Sequence, residues 1–268
     1  MAETEFFQPH RFRTAARHYL AGRPAYAPRL IQLVAHLTGL TGEARVLDLG
    51  CGPGMLAGAF APLVREVVAI DPEPEMLRIA EAQFGGVGNI RFMRGSSFEL
   101  PVGLGRFRVV TMGRSFHWMD RAATLRLLDT MVEPDGAVAL FDSEHLDLPE
   151  NAWAAEYRTL LRRYAETDES HVRRRGGTWV RHEAFLLDSA FCVLDQVSVI
   201  ERRAVSVQQL VDRAFSRSST APDRLGDAAP RLAAEIVGLL EPLATDGKLT
   251  EVVATSALLA RRFGGGGQ

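Results

Sequence analysis

The feature that most constrains the fold is the run VLDLGCGPG at residues 46–54, where an apolar stretch passes directly into glycines. Gly50, Gly52 and Gly54 let the backbone turn tightly, approach a ligand closely and present amides at the start of a helix. A dinucleotide-binding fingerprint would need its third glycine at the position of Met55. The spacing therefore predicts an α/β ligand loop and disfavours a nicotinamide cofactor, so an oxidoreductase is an unfavoured alternative.

A second motif, VVAIDPEPEML at residues 67–77, is a short apolar strand that ends in Asp71. Its distance from the glycine loop predicts a carboxylate at the tip of the neighbouring strand, where it can accept hydrogen bonds from both hydroxyls of a ribose. A helix begins within 72–75, so Asp71 could instead cap that helix. The loop and the acid together predict a nucleoside site without a pyrophosphate.

Between residues 45 and 142, short β-branched runs alternate with longer segments of helical character, which predicts a parallel sheet with crossover helices. The predicted strands of this part are Arg45–Leu49, Glu66–Ile70, Ile90–Arg94, Phe107–Met112 and Gly136–Phe141, and the predicted helices are Met55–Val64, Pro74–Phe84 and Arg121–Val132. Outside it we predict two helices within 12–40, helical structure within 150–190, strands at Val193–Val207 and Glu251–Arg261, and helices at 207–215 and 229–243.

The composition describes a globular protein with a large core. The 268 residues are 47% hydrophobic and 24% charged, and 31 basic against 33 acidic residues give a net charge of −2. This balance disfavours a basic nucleic-acid binder. Cys51 and Cys192 alone make no disulfide framework, and neither a secretory start nor a membrane-length apolar window occurs. We therefore expect a cytoplasmic protein without membrane or nucleic-acid partners.

In these motifs, over about residues 12–145, the sequence resembles the class I S-adenosylmethionine-dependent methyltransferases. The resemblance implies a Rossmann-like, doubly wound, mostly parallel seven-stranded α/β sheet. It also implies S-adenosyl-L-methionine as the cofactor and S-adenosyl-L-homocysteine as the product. In that family the glycine loop wraps the methionine part of the cofactor and the acid of the second strand, here Asp71, holds the ribose. Pro72 or Met76 then packs against the adenine.

After the third strand, the family carries a Gly-Asp-Ala-like turn that binds the adenine amino group. This chain has Gly95-Ser96-Ser97-Phe98, with serine in place of the acid. The resemblance therefore implies an adenine contact through a hydroxyl or through backbone amides at this turn.

Two further segments resemble the small-molecule subgroup that includes methyltransferase type 11 and trans-aconitate methyltransferase-like proteins. YLAGRPAY at 19–26 is similar to their N-terminal Y-x-x-x-R-P-x-Y stretch, which folds over the cofactor as a lid. SFHWMD at 115–120 is similar to their A-F-H-W-F-D stretch after the fourth strand. Ser216, with Ser218 and Ser219, is similar to a serine pair of that group, although it could also cap the next helix.

These considerations predict the following site. His117 is the candidate general base, because it follows a strand's carboxyl end and histidine titrates near neutrality, although a cofactor-wall or structural role is an open alternative. The cofactor-binding candidates are Tyr19, Arg23, Gly50, Cys51, Gly52, Gly54, Asp71, Pro72, Met76, Ser96, Ser97, Phe98, Met112 and Phe116. The substrate-binding candidates are Tyr26, His117, Trp118, Arg173 and Ser216. Arg173 belongs to a basic run that could equally be a solvated face.

We expect a methyl transfer to an oxygen, nitrogen or carbon atom of a small molecule such as a secondary metabolite, by a monomer or homodimer. The alternative is a regulatory protein that binds S-adenosylmethionine without catalysis. The motifs of amino-methylating and pyrimidine-carbon-methylating nucleic-acid enzymes are absent from the sequence. No metal is expected, although Asp142 and Glu144 could in principle join a magnesium site.

The expected organisation has five parts. They are an N-terminal helical lid at 1–40, a cofactor-binding core at 41–145, an inserted helical cap at 146–192, the rest of the sheet with its helices at 193–262 and a flexible tail at 263–268.

Overall fold

A single seven-stranded sheet organises the chain in the computed structural model, which describes residues 11–166, 168 and 179–264. The strands are β1 (Arg45–Leu49), β2 (Glu66–Asp71), β3 (Ile90–Arg94), β4 (Phe107–Gly113), β5 (Val132–His145), β6 (Val193–Ser206) and β7 (Lys248–Arg261). Their order across the sheet is β3-β2-β1-β4-β5-β7-β6. Strand β7 runs antiparallel to β5 and β6, and the other pairs are parallel. The predicted Rossmann-like, mostly parallel sheet is confirmed.

Helices flank the sheet and cover its carboxyl edge. They are α1 (Ala16–Gly22), α2 (Pro28–Leu37), α3 (Met55–Phe60), α4 (Pro74–Phe84), α5 (Arg121–Met131), α6 (Trp153–Ala165), α7 (His182–Leu187), α8 (Val207–Phe215), α9 (Pro222–Leu225) and α10 (Ala229–Leu240). None of those in the described ranges is long and apolar enough to cross a membrane.

Several element ends differ from the prediction. Helix α3 stops at Phe60 and continues as a 3-10 turn that contains Pro62, because proline cannot donate the hydrogen bond of a continuing α-helix. Strand β5 is longer than predicted at both ends, and β7 begins at Lys248 rather than Glu251. The carboxyl end of β5 pairs with β7, its first residue pairs with β4, and the start of β7 pairs with β6. A hydrophobic pattern does not report these backbone pairings.

The central strands are apolar throughout because both faces of the sheet are covered. Val46 and Val67 point to the face packed by α2 and α3, whereas Leu47 and Val68 point to the opposite face, which packs against α5. Since the carboxyl ends of parallel strands meet at one edge, the segments after β1, β2, β4 and β5 come together there.

A third apolar cluster joins α6, α8 and α10 beyond that edge, with Tyr157, Leu210 and Leu232 fully buried in it. Helix α1 packs directly on α8: a Cβ atom on Gly22 would lie 2.2 Å from the backbone nitrogen of Arg213. Arg213 Nε donates to the Gly22 carbonyl at 2.9 Å, and its guanidinium pairs with Glu251 at 2.7 Å. Helix α1 is thereby fixed to α8, the helix that follows β6.

Asp48 is a buried carboxyl group in the middle of the sheet. Its Oδ1 accepts a hydrogen bond from Thr111 Oγ1 at 3.0 Å, and its Oδ2 accepts one from the Ala57 amide at 3.1 Å. Burial outweighs these two hydrogen bonds and raises the pKa of Asp48 to about 7 from an ordinary 3.8. In the folded protein the group therefore keeps its proton at pH values where the unfolded chain has lost it.

The raised pKa of Asp48 predicts a pH dependence of stability. Since the folded state binds more protons between about pH 4 and 7, the free energy of unfolding falls as pH rises through that window. Asp48→Asn is expected to reduce this fall by about 2–4 kcal/mol, because an amide does not ionise. Its oxygen can accept from the Ala57 amide, and its nitrogen can donate to Thr111 Oγ1. Urea unfolding at pH 4.5, 6 and 8 measures the free energy of unfolding of both proteins, and Asp147→Asn, at an exposed position, is the control. A variant whose curve parallels the wild type would contradict the prediction.

Candidate functional site

A cavity of about 530 Å³ opens at the carboxyl edge of the sheet. Its wall comes from the segments after β1, β2, β3 and β4, from α1, and from the loop after α8. In open α/β sheets, ligands bind at this edge, where the chain order reverses between neighbouring strands. Here the reversal lies between β1 and β4. The glycine loop follows β1, and the segment that contains His117 follows β4.

The glycine loop turns at the floor of this cavity. Gly50 has a φ of +69°, and a Cβ atom there would lie 2.6 Å from the Cβ atom of Ser115, so only glycine fits. The amides of Gly50 and Cys51 both donate to the Ile70 carbonyl, at 2.8 and 3.0 Å, which ties the loop to the end of β2. Gly50 and Gly52 line the cavity.

Asp71 connects the two motifs found in the sequence. Its Oδ2 accepts a hydrogen bond from the Gly52 amide at 2.8 Å and its Oδ1 accepts one from the Glu73 amide at 2.9 Å. Burial raises its pKa to about 6, against the lowering effect of those two amides. The side chain that caps α4 is Glu73, which accepts from the Glu75 amide at 3.3 Å. The capping role considered for Asp71 is therefore wrong, and the carboxylate lines the cavity.

The turn after β3 forms one side wall. Ser96 and Glu99 exchange backbone hydrogen bonds at 3.3 and 3.1 Å, and the Ser96 hydroxyl accepts from the Phe98 amide at 3.3 Å. These bonds hold Ser96, Ser97 and the ring of Phe98 against the cavity, across from Met76. The wall offers apolar surface and a polar turn, which suits a planar heterocycle with an exocyclic amino group.

Helix α1 and the residue after it contribute Tyr19 and Arg23 to the cavity wall. Arg23 Nε donates to Ser216 Oγ at 2.8 Å, and the guanidinium carbon lies 5.4 Å from the centre of the Tyr19 ring. Ser216 is fully buried and donates its own hydroxyl to the Arg213 carbonyl at 2.8 Å. Ser216 thus supports the cavity wall from behind and holds Arg23 in place.

The segment after β4 carries His117 and Trp118 into the cavity. Ser115 Oγ anchors it by donating to the Leu49 carbonyl at 2.8 Å, and residues 116–118 form a 3-10 turn. The rings of His117 and Trp118 lie 4.9 Å apart, and Phe12 packs edge-on against Trp118 at 5.5 Å. This side of the cavity is aromatic and carries one titratable imidazole.

The structure brings most of the predicted residues together. Those that line the cavity are Tyr19, Arg23, Gly50, Gly52, Asp71, Pro72, Met76, Ser96, Ser97, Phe98, His117 and Trp118. Those that do not line it are Cys51, Gly54, Met112, Phe116, Tyr26 and Ser216. Arg173 lies outside the described residues.

The predicted residues that do not line the cavity pack behind its wall, each because of its own neighbours. Gly54 has a φ of +79° and begins α3 among the rings of Phe84 and Phe92. Met112 and Phe116 point into the core opposite the cavity, and Cys51 is buried beside it. The ring of Tyr26 packs edge-on against Phe141 at 5.4 Å.

Sequence reasoning missed several residues of the wall, chiefly arginines. Arg11 lines the cavity and is held by Asp168 at 2.6 Å. Arg114 lines it with a φ of +57°, a conformation that non-glycine residues rarely adopt and that gathers at functional sites. Arg217 comes from the loop after α8. Arg114 and Arg217 lie next to residues singled out in the sequence, but no spacing rule marks any of the three arginines.

Among the described residues, no group of three or more histidine, cysteine, aspartate or glutamate side chains could hold a metal ion. Of the two acids considered for magnesium, Asp142 lines the cavity and Glu144 does not.

The chain is similar to proteins of one family. Residues 46–136 match the family described as methyltransferase domain. The protein named uncharacterized methyltransferase YcgJ, from Bacillus subtilis, is 35% identical over 134 residues, which are 49% of this chain and 51% of that protein. The ubiquinone biosynthesis O-methyltransferase of Albidiferax ferrireducens is 35% identical over 115 residues, or 41% and 45% of the two chains. The matches thus span about half the length of these curated relatives.

The fold agrees with solved structures over most of the chain. The crystal structure of YcgJ from Bacillus subtilis covers 89% of this chain and 100% of its own, with 22% identity and a TM-score of 0.53. A methyltransferase from Thiobacillus denitrificans, crystallised with S-adenosyl-L-homocysteine, covers 95% and 99%, with 20% identity and a TM-score of 0.50. At these identities the likeness concerns the fold.

Proposed function

We propose that this chain, whose residues 46–136 belong to the methyltransferase domain family, transfers a methyl group from S-adenosyl-L-methionine to an oxygen, nitrogen or carbon atom of a small molecule. The observation that carries the proposal is the glycine loop hydrogen-bonded to Asp71 at the floor of the cavity. The regulatory alternative without catalysis is not favoured, because relatives that share this domain are named methyltransferases.

The residues around the cavity fit such a cofactor in three chemically distinct parts. Asp71 retains acceptor capacity beyond its two amide bonds and can receive the hydroxyls of a ribose. Met76 and Phe98 provide apolar surface for the adenine. Arg23 provides a fixed guanidinium for the methionine carboxylate, with the glycine loop between these parts.

The bound cofactor supplies an activated methyl group on a sulfonium centre. The chain's own contribution is to align the acceptor with that methyl group and to exclude water. His117 can take the proton that an oxygen or nitrogen acceptor loses, and Trp118 with Phe12 shields the reacting atoms. The imidazole is thus proposed as the general base and the aromatic rings as the wall of the acceptor pocket.

A small acceptor is supported by the dimensions and charge of the site. A cavity of about 530 Å³ is in the range of small-molecule sites, and the lid formed by α1 narrows access to it. A net charge of −2 gives no broad basic surface for nucleic acid. One relative is named as an O-methyltransferase of ubiquinone biosynthesis, which is a small-molecule pathway. We propose a cytoplasmic enzyme acting as a monomer or homodimer.

We propose a functional role for the parts expected from the sequence, which run from the lid at 1–40 to the tail at 263–268. Under this proposal, residues 41–145 bind the cofactor and residues 146–192 cap the acceptor.

The first test is calorimetric binding of S-adenosylmethionine and S-adenosylhomocysteine, followed by a crystal structure with the latter. We expect micromolar binding of both, with the ribose on Asp71 and His117 beside the sulfur. Formation of S-adenosylhomocysteine is then followed with a panel of phenols, carboxylates, amines and activated carbon acids. Failure to bind either compound would refute the proposal.

A further inference from the structure

The cavity has an unusual concentration of arginine on one side. Arg23 from the end of α1, Arg114 from the end of β4 and Arg217 from the loop after α8 all line it, and we call these three residues the arginine wall. Arg23 lies within electrostatic range of both others. Three like charges gathered around one space cost free energy unless something of opposite charge enters it.

The arginine wall lacks the acidic partners that buried arginines usually have. Within the described ranges, none of its three guanidinium groups lies within ion-pair distance of a carboxylate. The neighbouring Arg213, by contrast, is fully paired with Glu251 at 2.7 and 3.2 Å, and Arg203 shares that same carboxylate at 2.7 Å. The Glu251 carboxylate is therefore already shared by two other arginines.

Arg217 is the least satisfied member. Its Nε is buried and has no hydrogen-bond partner among the described residues. The titratable groups that interact electrostatically with its guanidinium include Tyr157, Arg158 and Arg213. Burial lowers its pKa. Arg114 also has a buried Nε without a hydrogen bond in the part of the chain described, but it lies over the Tyr26 ring at 5.0 Å and near Asp142.

Hydrogen bonds hold the loop that carries Arg217. The Thr220 amide donates to the Arg217 carbonyl at 3.2 Å, and the Thr220 hydroxyl donates to the Ala214 carbonyl at 2.6 Å. The flanking residues Ser216 and Ser218 are buried. These contacts set the point at which the Arg217 side chain leaves the backbone, beside the cavity that it lines.

The charge left over after cofactor binding is positive. Under the proposed function, Arg23 takes the cofactor's single carboxylate, while the cofactor's amino and sulfonium groups add two positive charges. Arg114 and Arg217 then face the rest of the cavity with only Asp142 as an acidic neighbour on that side. A neutral or cationic acceptor would leave this charge uncompensated in a partly desolvated space.

We propose that the arginine wall selects an acceptor that carries a carboxylate, and that Arg217 is the residue that anchors this anion. The planar fork of a guanidinium matches a carboxylate through two parallel hydrogen bonds, and an unpartnered Nε offers one of them. The inference rests on the proposed function, because it assigns Arg23 to the cofactor. The inference names the chemical group, a carboxylate, by which Arg217 holds the acceptor.

The test uses the whole 268-residue chain saturated with S-adenosylhomocysteine. Ligand-observed saturation-transfer NMR compares carboxylates with their neutral amides: benzoate with benzamide, cinnamate with cinnamamide, and indole-3-acetate with indole-3-acetamide. We expect the carboxylates to bind at least about tenfold more tightly than their amides. Arg217→Met is expected to remove this preference while amide binding stays unchanged.

Two further variants separate specific from general effects. Arg158→Met removes a neighbouring exposed charge from α6 and is expected to keep the preference. Arg217→Lys keeps the charge without the fork and is expected to retain part of it. Because the Arg217 guanidinium has no side-chain hydrogen bond among the described residues, Arg217→Met is also expected to leave the urea midpoint undiminished.

Equal binding of carboxylates and amides, or no binding of any carboxylate, would overturn the inference. So would carboxylate binding by Arg217→Met at wild-type strength, or a lowered urea midpoint that accounts for the loss. Calorimetry with S-adenosylhomocysteine distinguishes a failure of the carboxylate inference from a failure of the proposed function. A protein that binds it without preferring carboxylates contradicts only this inference, whereas a protein that does not bind it contradicts the proposed function.

Discussion

Replacing Asp71 by alanine is expected to weaken S-adenosylhomocysteine binding by about 2–4 kcal/mol, or roughly 30- to 1000-fold. Two effects act together. The variant loses the charged acceptor proposed for the ribose hydroxyls, and it releases the amides of Gly52 and Glu73, which now donate to that carboxylate at 2.8 and 2.9 Å. The glycine loop therefore loses one of its ties to the end of β2 as well as its ligand contact, while the bonds from Gly50 and Cys51 to the Ile70 carbonyl remain.

A deoxyribose analogue separates these two effects. If Asp71 holds the ribose, wild-type protein binds 2′-deoxy-S-adenosylhomocysteine more weakly than the parent compound, and Asp71→Ala no longer distinguishes them. Calorimetry of the four combinations measures the coupling. Glu75→Gln, which removes a partly exposed charge from the same helix start, is the matched control and is expected to bind normally. Wild-type affinity in Asp71→Ala would refute the ribose role.

The carboxyl edge of the sheet could be predicted because its determinants are local. Gly50 needs a positive φ and a bare Cα atom, and Asp71 follows an apolar strand without interruption, so both leave marks within a few residues. The buried strands are short continuous apolar runs for the same reason, since both faces of the sheet are covered. The predicted glycine loop, the acid and the serine turn after β3 therefore lie around one cavity.

The arginine wall could not be predicted because it is assembled from distant segments. Arg23, Arg114 and Arg217 come from the end of α1, the end of β4 and the loop after α8, which meet only when α1 packs on α8. The sequence is rich in arginine, so no single one stands out. The same limit explains Tyr26 and Ser216, whose motifs were noticed although their side chains support the wall from behind.

The second large effect is expected at His117. Replacing it by alanine should lower kcat about 10²- to 10⁴-fold with the first acceptor that the panel identifies, because a positioned base contributes that much to proton removal. S-adenosylhomocysteine affinity should change less than about threefold, since the proposed ribose, adenine and carboxylate contacts lie on Asp71, Met76 and Arg23. Steady-state kinetics and calorimetry on the same preparation give both numbers.

The pH profile distinguishes a base from a wall residue. A histidine base makes kcat/KM rise with pH between about 5 and 8, and His117→Ala should lose that rise while the variant His36→Ala, on the exposed side of α2, keeps it. His117→Gln should resemble alanine, because an amide fills the space beside Trp118 without accepting a proton at these pH values. Equal losses of turnover and cofactor affinity, with the pH profile unchanged, would instead identify His117 as part of the cofactor wall. The loss of kcat expected for His117→Ala applies to an acceptor whose reacting atom must lose a proton, since a reacting atom that is already anionic needs little help from a base.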